Sequence, residues 1–158
     1  MTRSTISTLF EAIAEMLFCD TSTLAKYYLP EPESAAVQAR LDVEDQVFLS
    51  ELARAELMAV FHRRLRERKW TGQQFHTVVR QFSRDDIGGY WYWAPLDGVI
   101  VEQAVKVYTT LPETVFLRTA DCLHLVTAVH HGFSEIHTHD AHQTRAASAL
   151  GLTCVSIK

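Results

Sequence analysis

The sequence has little cysteine. Three cysteines, Cys19, Cys122 and Cys154, occur among 158 residues, and they are widely separated. An odd number of distant cysteines fits neither a disulfide framework nor a zinc site built from paired cysteines. We therefore expect free thiols, which are typical of a protein in the reducing cytoplasm.

A long apolar run is also missing. No stretch approaches the roughly 20 residues that a membrane-spanning helix needs. Glu11 and Glu15 lie near the N-terminus, where a signal peptide would be continuously apolar. The sequence therefore predicts a soluble protein that is neither exported nor inserted in a membrane.

Positive charge is not in excess either. The formal net charge is −4, whereas affinity for nucleic acid depends on cations that displace counterions from phosphates. Any contact with nucleic acid must therefore use a local basic patch. The densest positive segment, residues 62–69, either guides a nucleic acid or only complements the dipole at a helix end.

The composition and the apolar periodicity indicate one globular α/β domain. Hydrophobic residues make up 47% of the chain and charged residues 22%, as in a protein with a packed core. Strands and helices alternate, which favours a parallel sheet covered on both faces, with ligands at the carboxyl ends of its strands. Strands are predicted at residues 17–19, 46–49, 135–138 and 152–157, and helices at 24–29, 34–41, 51–69, 72–86, 97–108, 117–131 and 141–150. Residues 16–158 form the predicted domain, and residues 1–15 a predicted N-terminal extension with a short helix.

Four acidic residues occupy positions that are unusual for surface charges. Asp20 and Asp140 directly follow predicted strands, and Asp121 lies in the first turn of an apolar helix, where we expect Thr119 to be the cap. Glu56 emerges from an apolar helix face, whereas Glu51 has Arg54 at i+3 and is typical of a solvated ion pair. Turns, caps and helix dipoles explain each aspartate singly. Convergence in one site explains all four acids together.

Converging carboxylates need a positive partner. At about 4 Å and an effective dielectric constant of about 20, each pair of carboxylates repels by about 4 kcal/mol. Hard oxygen ligands select Mg²⁺ or Mn²⁺. A cation site is therefore predicted, and replacing Asp121 by asparagine is expected to stabilise the metal-free protein.

The order and spacing of these motifs resemble the PIN-domain family, and in particular VapC-type toxins of bacterial toxin–antitoxin systems. The similar segments are residues 18–22 (FCDTS), 26–28 (KYY), 31–34 (EPES), 50–57 (SELARAEL), 117–121 (LRTAD), 138–140 (THD) and 146–152 (AASALGL). The resemblance implies a three-layer α/β/α fold with a central, mostly parallel sheet. It also implies an endoribonuclease that is neutralised by a cognate antitoxin protein and forms a homodimer.

The resemblance further implies a role for individual residues. Asp20, Glu56, Asp121 and Asp140 would be catalytic and would hold Mg²⁺ or Mn²⁺, with Ser22 and Thr138 supporting them. Candidate contacts to phosphate or RNA are Lys26, Arg63, Arg118 and Arg145. The aromatic run at residues 90–93 either stacks bases or, as we favour, packs in the interior.

Three other interpretations were weighed. Residues 137–142 (HTHDAH) are similar to a zinc motif of metallo-β-lactamase-fold hydrolases, but the aspartate is out of register by one residue. A haloacid dehalogenase-like phosphatase needs a second aspartate where this chain has Ser22. A catalytically silent PIN-like module that grips a basic protein segment or RNA is the main alternative to the nuclease.

Overall fold

The sheet consists of five parallel strands. The computed structural model describes residues 16–158, so the helix predicted near the N-terminus lies outside the described residues. The strands run in the order β3-β2-β1-β4-β5, and a bridge between Cys19 and His137 joins β1 to β4. Their bounds are β1 Leu17–Phe18, β2 Val47–Ser50, β3 Trp91–Ala94, β4 Glu135–His137 and β5 Thr153–Val155.

Helices connect these strands. They are α1 Thr21–Tyr28, α2 Ser34–Leu41, α3 Leu52–Arg66, α4 Gly72–Ile87, α5 Gly98–Thr110, α6 Thr119–His130 and α7 Ala141–Ala147, which continues as a 3₁₀ turn over Ser148–Leu150. The bounds of α2 agree with the sequence prediction, while α3 is shorter than predicted at both ends. Within residues 16–158, no helix combines the length and apolar character that a bilayer crossing requires.

The core is divided into two clusters, one on each face of the sheet. Successive side chains of a strand point to opposite faces, and Leu17 belongs to one cluster while Phe18 belongs to the other. The first cluster includes buried residues of α1 to α4, and the second includes buried residues of α5 to α7. This arrangement confirms the predicted three-layer α/β/α fold with a parallel sheet.

Two local predictions about capping have different outcomes. The Thr71 hydroxyl accepts from the backbone of Gln74, and the Gln74 side chain accepts in return, which is the expected capping box of α4. The prediction that Thr119 caps α6 is wrong, because the helix already includes Thr119. Arg118 occupies the cap position without a capping side-chain bond.

Strand β3 was not predicted as a strand. Its residues come from the aromatic run, which mostly packs inside: Trp91 is buried, and the indole of Trp93 donates to Asp86 at 2.6 Å. The Tyr90 hydroxyl donates to the backbone carbonyl of Leu41, whereas Tyr92 is exposed. The packing interpretation of the aromatic run is therefore confirmed for most of its members.

The strand order leaves a crevice at one end of the sheet. From β1, the chain adds β2 and β3 on one side, and it later places β4 and β5 on the other side. Connections that leave β1 and β4 in opposite directions open a ligand-binding crevice at the carboxyl ends of these strands. Asp20 follows β1 at this point, and residues 138–140 follow β4.

Candidate active site

A polar pocket of about 560 Å³ lies at the carboxyl ends of β1 and β4. All four acids singled out in the sequence line it: Asp20, Glu56, Asp121 and Asp140. They come from the end of β1, the middle of α3, the first turn of α6 and the start of α7. The fold therefore brings together side chains that are far apart along the chain.

Asp20 is the most buried of the four acids, with 1% of its surface exposed. Its carboxylate accepts from the Ser22 hydroxyl at 2.7 and 2.9 Å, from the Thr138 hydroxyl at 2.8 Å and from the Thr23 backbone at 3.0 Å. Burial raises the pKa of Asp20, although the charge of His124 and these hydrogen bonds oppose the shift. Ser22 and Thr138 thus orient this carboxylate.

Glu56 is held by two side chains from other helices. The Thr21 hydroxyl donates to its Oε2 atom, and His124 Nε2 lies 2.7 Å from the same oxygen. Because a carboxylate only accepts, Nε2 must carry the proton, and the buried Nδ1 atom of His124 has no hydrogen-bond partner within residues 16–158. Burial acts to raise the pKa of Glu56, but the hydrogen bond and charge of His124 outweigh it and lower the pKa.

Arg118 joins the other two acids. Its Nε atom donates to Asp121 Oδ2 at 2.6 Å, and its Nη2 atom donates to Asp140 Oδ2 at 2.6 Å. Asp140 also caps α7, because Oδ1 accepts from the backbone of His142 at 2.7 Å and of Gln143 at 3.2 Å. Partial burial acts to raise the pKa of Asp140, but these hydrogen bonds outweigh it and lower the pKa.

Gln143 links the two buried aspartates. Its amide nitrogen donates to Asp20 Oδ2 at 3.0 Å and lies 3.4 Å from Asp121 Oδ1. The side chain is almost completely buried, and its Oε1 atom has no hydrogen-bond partner among the residues that the structure describes. Gln143 therefore fixes the spacing of Asp20 and Asp121 and leaves one carbonyl oxygen free to accept.

The donor set fits a hard divalent cation in its chemistry. Four carboxylates and the hydroxyls of Thr21 and Ser22 line the pocket, and oxygen donors of this kind suit Mg²⁺ and Mn²⁺. Across residues 16–158, however, no three acidic, histidine or cysteine side chains stand close enough to hold an ion together. Asp121 and Asp140 already have one positive partner, because Arg118 pairs with both.

The four basic residues proposed to contact phosphate have different positions. Lys26, Arg63 and Arg118 line the pocket, but Lys26 also forms an ion pair with Glu33 at 2.8 Å. Arg118 is engaged with the acids. Arg145 lies outside the pocket and contacts the ring of His142 at 3.3 Å.

Sequence reasoning did not identify Thr21, His124 and Gln143 as members of the site. Two of them had a detectable signal, because His124 and Gln143 lie three residues after Asp121 and Asp140 and therefore share a helix face with them. Thr21 begins α1 directly after Asp20. Their partners could not be read from the sequence, because each is contributed by a different element.

The zinc interpretation finds no support in this geometry. The ring of His139 lies near the Thr23 hydroxyl at 3.2 Å and the Ile157 carbonyl at 2.9 Å. His142 packs against Phe116.

Comparisons with known proteins agree with this fold. The structure is similar to FitAcB from Neisseria gonorrhoeae (20% identity, TM-score 0.69, covering 88% of this chain and 96% of that chain). It is also similar to VapC20 from Mycobacterium tuberculosis, described as a sarcin–ricin loop cleaving toxin (14%, 0.65, 87% and 96%). A third similar structure is VapBC2 from Rickettsia felis bound to a promoter DNA fragment (13%, 0.64, 90% and 100%). No curated protein matches the sequence.

At these identities the structural matches establish the fold alone. The sequence itself matches the model of one family, the PIN domain, over residues 17–149. This match includes strands β1 to β4 and every acid of the pocket, and it ends before β5. The chain therefore belongs to the PIN-domain family.

Proposed function

We propose that this protein is a metal-dependent endoribonuclease toxin that cleaves RNA phosphodiester bonds and is neutralised by a cognate antitoxin in the bacterial cytoplasm. The observation that carries the proposal is the meeting of four acids, distant in sequence, in one pocket at the carboxyl ends of β1 and β4. The similar structures support it, because one is described as a sarcin–ricin loop cleaving toxin and another is VapBC2 bound to a promoter DNA fragment.

In this proposal the four acids would supply the carboxylate ligands of Mg²⁺, or Mn²⁺, in the pocket. A bound divalent ion lowers the pKa of a coordinated water and stabilises charge on the phosphate and the leaving oxygen. Ser22 and Thr138 keep the Asp20 carboxylate oriented through their hydroxyl groups. Glu56 has a lowered pKa and is therefore a carboxylate at neutral pH, the form in which it would bind a divalent ion.

RNA would reach the pocket along α3. Arg63 lines both the acidic pocket and a neighbouring depression that also includes Ala59, Val60, His62 and Arg66. Neither Arg63 nor Arg66 forms an ion pair within residues 16–158. These guanidinium groups are therefore available to phosphates, as a protein of negative net charge requires. Lys26, which also lines the pocket, would contact phosphate there, and Arg145 only outside it.

Partner proteins are also part of the proposal. We expect a small antitoxin, and a homodimer, because the related structures include complexes of the FitAB and VapBC type. Co-purification with the product of the neighbouring gene would identify the antitoxin, and sedimentation of the free toxin would give its oligomeric state.

The test of activity compares two variants that make the same chemical change. Asp20→Asn alters the buried acid of the pocket, while Asp45→Asn alters an exposed acid outside it. The proteins are incubated with total bacterial RNA and Mg²⁺ or with a chelator, and the new RNA ends are sequenced. We expect specific ends with the wild type and Asp45→Asn, and at least about a 100-fold lower rate with Asp20→Asn or the chelator. Equal cleavage by both variants would refute the proposed site.

A further inference from the structure

Arg118 holds two acids that belong to two different elements. Its guanidinium bonds to both carboxylate oxygens of Asp121, at 2.6 and 3.3 Å, and to Asp140 Oδ2 at 2.6 Å. A planar guanidinium suits this task because it donates several hydrogen bonds in fixed directions. The positive charge that the two acids need is therefore supplied by the chain itself.

The Arg118 side chain is only about half covered by the protein, although its guanidinium contacts both acids. Its side chain is 48% exposed, whereas the side chain of Asp121 is 8% exposed. A nearly buried carboxylate requires a positive or hydrogen-bonding partner, but a side chain that is about half exposed loses only part of its packing when it moves. Arg118 can therefore leave the site at low cost, provided that another cation takes its place.

A divalent ion and the guanidinium would compete for the same atoms. Asp140 Oδ1 already accepts hydrogen bonds from the backbone of α7. Oδ2, which accepts from Arg118, is therefore the oxygen of Asp140 that remains to bind a cation in the pocket. Both oxygens of Asp121 accept from Arg118 as well. Two cations on these shared oxygens would also repel each other, which makes simultaneous binding unfavourable.

We propose that Arg118 is an internal counter-ion of the acidic pocket, which a divalent cation must displace from Asp121 and Asp140. Gln143, by contrast, stays in place because it is buried and neutral and links Asp20 to Asp121 without occupying the position of a charge. The inference rests on the proposed function, since it assumes that these acids bind a divalent ion.

The experiment measures binding of Mn²⁺ to the full chain by paramagnetic resonance titration, without RNA. Arg118→Gln removes the competing charge, and Arg63→Gln is the matched control because Arg63 lines the same pocket and its side chain forms no ion pair within residues 16–158. We expect Arg118→Gln to bind Mn²⁺ about 3- to 10-fold more tightly than the wild type, the range that partly exposed ion pairs support. Arg63→Gln should change the affinity less than Arg118→Gln does.

A second measurement guards against misfolding of the variant. Without divalent ions, Arg118→Gln should melt below the wild type, since Asp121 and Asp140 lose their counter-ion, and Mn²⁺ should raise its melting temperature more than it raises that of the wild type. Arg118→Lys, which keeps the charge but not the fork of donors, should lie between the two proteins in Mn²⁺ affinity.

Failure of this inference is distinguishable from failure of the proposed function. If Mn²⁺ binds and Asp20→Asn abolishes binding, but Arg118→Gln binds no more tightly than Arg63→Gln, only the counter-ion role is refuted. If neither the wild type nor Arg118→Gln binds Mn²⁺, both proposals are refuted. If Arg118→Gln alone binds Mn²⁺ measurably, the displacement model is supported in its strongest form.

Discussion

The four acids of the pocket differ in their surroundings, although they share one cavity. Asp20 is surrounded by hydroxyl and amide donors, and burial raises its pKa. Glu56 faces His124 and Thr21, which lower its pKa. Arg118 and the start of α7 lower the pKa of Asp140. Carboxyl groups whose pKa values are pushed apart are suited to different chemical roles in one reaction.

The hydroxyl of Thr21 is expected to position Glu56. Thr21→Val removes the hydroxyl that donates to Glu56 and keeps a side chain of similar size. We expect RNA cleavage to fall by about 10- to 100-fold, as is usual when the partner of a metal-site carboxylate is lost. Steady-state cleavage rates measure the effect, and Thr77→Val, on the exposed face of α4, is the control. Unchanged cleavage by Thr21→Val would show that Glu56 needs no such support.

Replacing Asp121 is now expected to destabilise the metal-free protein. The sequence predicted the opposite change in stability. It indicated four mutually repelling carboxylates but not the hydrogen-bonding or charged partner of any of them. The structure pairs Asp121 with Arg118, so Asp121→Asn should lower the free energy of unfolding by about 1–2 kcal/mol, in the range of a hydrogen bond to a charged group. Urea denaturation with a chelator present measures this change, and Asp45→Asn is the control. A more stable Asp121→Asn protein would mean that repulsion dominates after all.

At the scale of elements, capping and strand pairing have different origins. The capping box of α4 depends on residues three apart and is therefore visible in the sequence. Strand β3 has four consecutive apolar and aromatic residues and no alternation, so its period identifies no strand. It becomes a strand because it pairs with β2, with Val47 opposite Trp91 and Ser50 opposite Ala94.

Loss of the α4 cap should affect stability and leave activity unchanged. Thr71→Ala removes the hydroxyl that accepts from the backbone of Gln74. The expected cost is about 1 kcal/mol of unfolding free energy. Because Thr71 lies outside the acidic pocket, the cleavage rate at a temperature well below the transition should not change. Chemical denaturation tests the first expectation, and an equal loss in Thr77→Ala would argue that the cap itself contributes nothing.

At the scale of the whole molecule, β4 places a titratable group inside the sheet. His137 is buried between β1 and β5, and its Nδ1 atom has no partner. Burial, reinforced by the positive charge of Arg40, lowers the pKa of His137 from 6.5 to about 4. The ring of His137 therefore stays neutral in the folded protein between pH 6.5 and about 4, where an exposed histidine would gain a proton.

Acid should weaken the fold partly through this histidine. The pKa of His137 is lower in the folded protein than in the unfolded protein. Its contribution to the free energy of unfolding is therefore complete above pH 6.5 and is lost as the pH falls toward 4. At about 1.4 kcal/mol per pKa unit, the loss has an upper limit of about 3 kcal/mol. Melting temperatures of the wild type and His137→Gln between pH 7.5 and 4.5 should therefore converge or cross. His62→Gln, at an exposed site, should run parallel to the wild type. A His137→Gln curve that also runs parallel would contradict this assignment.

Local patterns in the sequence determined most of the elements, their order and the positions of the four acids, but not strand β3. Apolar periods, caps and strand ends are short-range features, so they placed α2, the α4 cap and the acids after β1 and β4 correctly. Tertiary structure alone decided which partners these acids have. His124 is 68 residues from Glu56, Arg118 is 22 from Asp140, and Gln143 is 123 from Asp20. Such pairs form only when the helices pack on the sheet, and no local pattern in the sequence shows which residues so far apart along the chain will meet.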